Sequence, residues 1–173
     1  IPPTRLDDTL VRLIAANSRN PDERRGDLRA QRAAHRVAED RVAEIVRRRG
    51  RERVVAAMDE LFAYAERGVR AAIAALPDGR YEAVDVIEAV DADLAIRAAV
   101  TIAGDEVEID FAGTAPQHAG NLNCPLAVTR SACFFVVRMV TEPDLLASGG
   151  AFAPVTVRAP EGCLVNARSP AAV

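Results

Sequence analysis

The spacing of the hydrophobic residues changes at Pro77-Asp78-Gly79. Before this turn they recur every three or four residues; after it they alternate. The first spacing lines apolar side chains along one stripe of a helix, and the second puts them on one face of a pleated strand. A chain that carries both, one in each half, is restricted to an α+β arrangement. The expected architecture is a helical N-terminal half followed by a small, mainly antiparallel sheet with a packed helix.

In the first half the pattern predicts a short helix over Leu6 to Ala16. Thr4 serves as its N-cap, and Asp7 and Asp8 favour its positive end. Asn17 to Pro21 is a polar break. A longer helix covers Glu23 to Arg49, with Leu28, Ala38, Val42 and Ile45 on one stripe, and Gly50 ends it. A third runs from Glu52 to about Leu76, with Val55, Met58, Leu61, Phe62, Ala65 and Val69 apolar.

In the second half, Tyr81 to Val90, Leu94 to Ile102 and Glu106 to Phe111 read as strands. Val107, Ile109 and Phe111 alternate with Glu106, Glu108 and Asp110, the pattern of a half-buried strand. Ala103-Gly104-Asp105 suits a hairpin turn. A loop rich in Gly, Asn and Pro covers Gly113 to Pro125. Pro125 is expected to open a helix reaching about Val140, capped by Asn123 or Cys124. Pro154 to Arg158 and Leu164 to Val165 read as short edge strands. Helix stripes and half-buried strands of this kind would leave apolar surface exposed if nothing else covered them.

Composition excludes several classes of function. With 22 basic and 25 acidic residues and a net charge of −3, the chain lacks an electrostatic footprint for nucleic acid. Every basic residue is Arg, so neither a Schiff-base lysine nor a P-loop lysine exists. The apolar runs, such as Cys133 to Val137, are far too short to span a membrane. The 3 cysteines, Cys124, Cys133 and Cys163, form no CxxC pair, which argues against a disulfide scaffold or zinc site and fits a reducing cytoplasm. His35 and His118 lie too far apart in sequence for a His-rich metal site.

Three places concentrate polar chemistry. Asp27, Gln31 and His35 recur at steps of four and share one helix face. Gln31 and His35 interrupt the apolar stripe there, and a buried polar group needs a partner, either a ligand or a neighbouring loop. Asn17-Ser18-Arg19-Asn20-Pro21 precedes a helix N-terminus, where Arg19 could help hold an anionic group; an ordinary capped loop is the alternative. The loop from Asp110 to Asn123 leaves a strand and ends at a helix start, suiting contact with a substrate or phosphate as well as a structural turn. Cys124 sits near that helix start with His118 close in sequence, so a thiolate nucleophile stands beside the alternative of a small buried residue. No reaction follows from these residues alone.

Several stretches, in order, resemble the hydantoinase B/oxoprolinase family. They are Asn17-Ser18-Arg19 with Pro21 and Gly26 to Ala34; Leu76 to Tyr81; and Ile109 to Thr114 with Gln117, Gly120, Asn123 and Pro125. Gly149-Gly150 through Pro154, Pro160, Gly162 and Pro170 to Val173 complete the set. The resemblance implies that residues 1–173 are one internal segment of a larger cytoplasmic subunit, with 1–76 its helical part and 77–173 its strand-rich part. It implies a hetero-oligomer with a hydantoinase A-type ATP-binding partner that opens cyclic amides such as hydantoins or 5-oxoproline by ATP-driven phosphorylation of a carbonyl oxygen. Acetone and acetophenone carboxylases share the same motifs, and a non-catalytic subunit-interaction module is a third reading. ATP would sit on the partner. A divalent metal is implied, with its ligands and the catalytic residues outside these 173 residues. Arg19, Asp27, Gln31, Thr114, Gln117 and Asn123 are the expected substrate-binding or positioning residues. His35 stands where Asn is common in the family, Ala38 where Gly is common, and Ser148 where Asn usually precedes Gly-Gly.

Overall fold

A computed structural model describes residues 8–90, 92–141 and 148–173. The expected cap at Thr4 and the helix start over Leu6 and Asp7 lie outside the described residues. The chain divides into two compact units, residues 1–57 and 58–173.

The first unit is helical. Helix α1 covers Asp8–Ala16 and helix α2 covers Pro21–Arg49. Pro21 occupies the first turn, where its missing N–H is no loss, so α2 begins two residues earlier than the apolar pattern indicates. Three arginines, Arg47 to Arg49, close its negative end, and Gly50 ends it at φ 81°, a conformation that disfavours a Cβ. No residue of α2 is buried. Val42 and Ile45 stay exposed along the stripe that the sequence marks as apolar. The expectation that Gln31 and His35 are buried polar intruders is therefore corrected: both are exposed. An apolar stripe buries its neighbours only where another element covers it.

The second unit contains the α+β core. Helix α3 (Arg51–Ile73) enters it from Met58 onward and tightens after Ile73 into a turn through Leu76. Strands β1 (Gly79–Glu88), β2 (Asp93–Ala103), β3 (Glu106–Asp110) and β4 (Val155–Arg158) form one sheet in that order. β1–β2 and β2–β3 are antiparallel, and β3–β4 is parallel. A parallel neighbour requires a crossover, and helix α4 (Leu126–Val140) lies within it. The β2–β3 turn holds Gly104 at φ 61°, and the Gly104 N–H donates to Asp78 Oδ1 at 2.9 Å, fixing the hairpin against the Pro77 turn.

The core joins Ala65, Val69 and Ile73 of α3 to Val107 and Ile109 of β3, Val155 and Val157 of β4, and Cys133 and Val137 of α4. The α3 set recurs at steps of four and the strand sets at steps of two, so each element buries the face its period defines. Complete burial of Ile73 contributes roughly 2–3 kcal/mol. Desolvation in this core raises the Cys133 thiol above its ordinary pKa. A short 3-10 turn, Gly149–Phe152, presses on α3. A side chain at Gly150 would run into the backbone carbonyl of Phe62. Phe152 stacks on Phe134 of α4 with centroids 4.3 Å apart. Arg70 on α3 bonds Glu66 at 2.8 Å and reaches Asp105 and Glu106 at 3.2 Å, tying the helix to the β2–β3 turn.

One expected strand is corrected. Leu164–Val165 forms turns, with only isolated bridges at Cys163 to Pro116 and Asn166. Both residues are buried, so an apolar pair that reads as a strand serves instead as a plug in a folded-back loop.

Candidate functional site

The polar loop that follows β3 is interlaced with the C-terminal residues. Thr114 is buried, and its hydroxyl both accepts from Arg97 N–H and donates to Arg97 C=O, each at 3.1 Å. This pair occupies the β2 backbone where β3 has ended. Ala115 N–H then donates to Ala95 C=O at 2.9 Å, extending the seam. Gln117 N–H donates to Gly162 C=O at 2.9 Å, and its side-chain oxygen accepts from Arg168 N–H at 2.8 Å. Cys124 N–H donates to Leu164 C=O at 2.7 Å, and Leu164 N–H donates to Ala115 C=O at 2.9 Å.

Asn123 is the hub. Its Oδ1 accepts from His118 N–H at 2.7 Å. Its Nδ2 lies 2.9 Å from His118 C=O, 2.9 Å from Gly120 C=O and 2.8 Å from Ala172 C=O, so two hydrogens serve three acceptors. Asn123 is only 7% exposed, and every polar atom of its side chain is bonded within the protein. The expected capping role is corrected. The N-cap position of α4 is Pro125, with no side-chain cap bond, and the helix starts at Leu126. Asn123 faces back into its own loop because the carbonyls there have no strand partners.

The Cys124–His118 pairing is not formed as a nucleophile and base. His118 Nδ1 accepts from Gly120 N–H at 2.9 Å, and the Cys124 sulfur lies 3.6 Å from both Pro125 C=O and the Thr129 hydroxyl. Thr129 is buried and donates to Val165 C=O at 2.6 Å, anchoring the C-terminal segment on α4. Glu161 and Arg168 close the outer rim at 2.8 Å, and the guanidinium holds the Glu161 carboxyl below its usual pKa.

The structure thus brings Thr114, Gln117 and Asn123 into one hydrogen-bonded module of the second unit. Arg19, Asp27 and Gln31 belong to the first unit. Arg19 is exposed in the turn between α1 and α2, and Asn20 bonds Glu23 at 2.9 Å. Asp27 is partly buried and paired with Arg24 at 2.8 Å, and Gln31 is exposed.

A second polar feature escaped the sequence reading. Asp8, Val11 and Arg12 of α1 and Arg25, Leu28, Arg29 and Arg32 of α2 line a cleft of about 500 Å³. Arg25, Arg29 and Arg32 stand at i, i+4 and i+7, one helix face; that spacing was the available signal. Among the described residues, no group of three or more His, Cys, Asp or Glu side chains is arranged to hold a metal ion. No described helix is long and apolar enough to cross a membrane.

The family model described as hydantoinase B/oxoprolinase matches residues 3–173. The chain belongs to the hydantoinase B/oxoprolinase family. Its relatives in that family include the caprolactamase subunit beta of Pseudomonas jessenii, 30% identical over 99% of this chain and 31% of the relative. They also include 5-oxoprolinase 1 of Arabidopsis thaliana, 28% identical over 96% of this chain and 14% of the relative. The crystal structure of the ATP-dependent caprolactamase from Pseudomonas jessenii superposes with a TM-score of 0.80 at 26% identity, covering 97% of this chain and 30% of that one. An acetone carboxylase structure shares the fold, with a TM-score of 0.69 at 19% identity over 76% of this chain and 20% of that one. The chain spans about a third or less of the length of the relatives it matches.

Proposed function

We propose that the chain is part of an ATP-dependent cyclic-amide hydrolase subunit of the hydantoinase/5-oxoprolinase type, working with a hydantoinase A-type ATP-binding partner in the cytoplasm. The observation that carries this reading is the superposition on caprolactamase across 97% of the chain, at an identity that matches the family assignment. A lactam or hydantoin carbonyl is a poor electrophile. Transfer of a phosphoryl group from ATP to its oxygen makes the carbon susceptible to water, and ring opening then releases phosphate.

In this reading the residues divide by their free hydrogen-bonding capacity. Thr114 and Asn123 have their side-chain donors and acceptors engaged internally, so they act as positioning residues for the loop of residues 111–125. Gln117 does the same for the Arg168 backbone through its oxygen. Arg19 and Gln31 are exposed, and Asp27 keeps a partly exposed carboxylate beside Arg24; the three are assigned to substrate, Arg19 balancing a carbonyl or phosphoryl oxygen and Asp27 and Gln31 orienting the ring.

The test uses the full-length subunit co-expressed with its ATP-binding partner, with phosphate release recorded against a hydantoin, 5-oxoproline, caprolactam, and acetone with bicarbonate. Release stimulated by a cyclic amide is expected. Release only with ketone and bicarbonate would replace the hydrolase reading with a carboxylase, and silence on all four would remove both. Arg19→Ala is expected to raise KM more than it lowers kcat, because it removes binding common to substrate and transition state.

A further inference from the structure

We infer that the outer face of α4 is a helix-packing surface, covered in the whole subunit by an amphipathic helix from the part of the same polypeptide outside residues 1–173. α4 turns Thr129, Cys133 and Val137, at steps of four, into the protein, where all three are buried. A second stripe, Val128, Ala132, Phe135 and Met139, faces solvent, with Phe135 65% and Met139 61% exposed. Val136 and Val140, also exposed, lie between the two stripes. The charged residues of α4, Arg130 and Arg138, fall outside this apolar surface. A helix that is apolar on most sides is one that is enclosed on most sides. Helix α2 gives the contrast: it is exposed along its whole length, and more than half of its residues are Arg, Asp or Glu.

The shape of the occupant follows from the spacing. Positions 128, 132, 135 and 139 advance by four, three and four, the heptad rhythm along which one helix seats on another. Ala132 leaves a hollow between Val128 and Phe135 that a side chain of the facing helix can fill. A bilayer does not fit, because 15 residues give about 22 Å against a hydrocarbon core of about 30 Å. A second copy of α4 would add two arginines and no carboxylate, and like charges disfavour such self-pairing. The length of family subunits supplies the remaining argument. The chain superposes over 97% of its own length on caprolactamase but accounts for only 30% of that chain, so a subunit of this kind has ample polypeptide to provide the covering helix. Tethering holds such a helix near α4 at high effective concentration, without recruiting another molecule. The inference rests on a longer family subunit and not on the reaction, so silence in the phosphate-release assay leaves it standing.

The experiment uses the full-length subunit in complex with its ATP-binding partner. Peroxide oxidation of Met139 is followed by peptide mass spectrometry in the native complex and in the same complex unfolded in urea. Oxidation at least fivefold slower in the native complex is expected; a smaller difference, the behaviour of a side chain 61% exposed, would overturn the inference. The Phe135→benzoylphenylalanine variant then identifies the occupant by photo-cross-linking. The cross-link is expected within one polypeptide, at monomer mass, to a helix outside residues 1–173. A cross-link to a second copy, to the ATP-binding partner, or to a residue within 1–173 would overturn the inference. Val128→benzoylphenylalanine probes the other end of the stripe and serves where the first variant does not assemble. No cross-link from either position would also overturn it.

Discussion

Asn123 shows how a side chain suited to binding can be committed to structure. Its amide is 7% exposed and bonds backbone groups of His118, Gly120 and Ala172. Replacing it by Ala strips the partner from several buried backbone groups at once. Asn123→Ala is therefore expected to lower the unfolding free energy of the second unit by about 2–4 kcal/mol, read as a shift in the urea midpoint. Asn123→Asp keeps the acceptor for His118 N–H but loses both donors, and should be destabilised as well. An unchanged midpoint for both variants would show that water replaces these bonds without loss. Nothing in the sequence distinguishes this role from a helix cap, because both call for an Asn just ahead of the Pro that precedes a helix. The acceptors that decide the matter, above all Ala172 C=O, lie up to 49 residues away.

At the scale of elements, two glycines make opposite predictions. Gly150 meets the Phe62 backbone, whereas Gly26 on α2 has nothing within 4 Å of a built Cβ. Gly150→Ala is expected to lower stability by about 3 kcal/mol or more, since backbone on both sides must shift. Gly26→Ala is expected to raise helix stability by about 0.5–1 kcal/mol, through the lower entropy cost of ordering Ala in a helix interior. Thermal unfolding of the two variants side by side checks both signs. Elements of this fold were legible wherever a period ran for several turns: α2, α3, the β2–β3 hairpin around Gly104 and helix α4 all lie where the spacing of apolar residues puts them. The parallel pairing of β3 with β4 was not, because pairing direction is set by a crossover rather than by either strand's own pattern. Leu164–Val165 misled for a related reason: two apolar residues fit a strand and a buried turn equally well. The arginine-lined cleft was not legible either, because sequence spacing gives the face of α2 but not that α1 lies against it.

For the whole molecule, the two units differ in how their backbone groups are held. In α2 the backbone bonds run along a helix without buried side chains. In the second unit, long-range bonds such as Gln117 N–H to Gly162 C=O and Cys124 N–H to Leu164 C=O tie distant segments together. Hydrogen exchange should separate them: the amides of Gln117, Cys124, Gly162 and Leu164 are expected to exchange as one group, at least about tenfold more slowly than those in the middle of α2. Exchange of these four at unrelated rates would mean that the seam opens piecemeal.

The interlacing also sets an order of events during synthesis. Thr114 finds its partner, Arg97, already made, so the near side of the loop can close as soon as it leaves the ribosome. Asn123 and Gln117 wait for Ala172 and Arg168, on a stretch of chain still to be translated. Until β4 has emerged, the β3 edge that it will cover stays open to other strands. A nascent chain stalled before Gly162 would carry the apolar residues of β3, α4 and β4 without the hydrogen bonds that Gly162, Leu164, Arg168 and Ala172 supply to the loop.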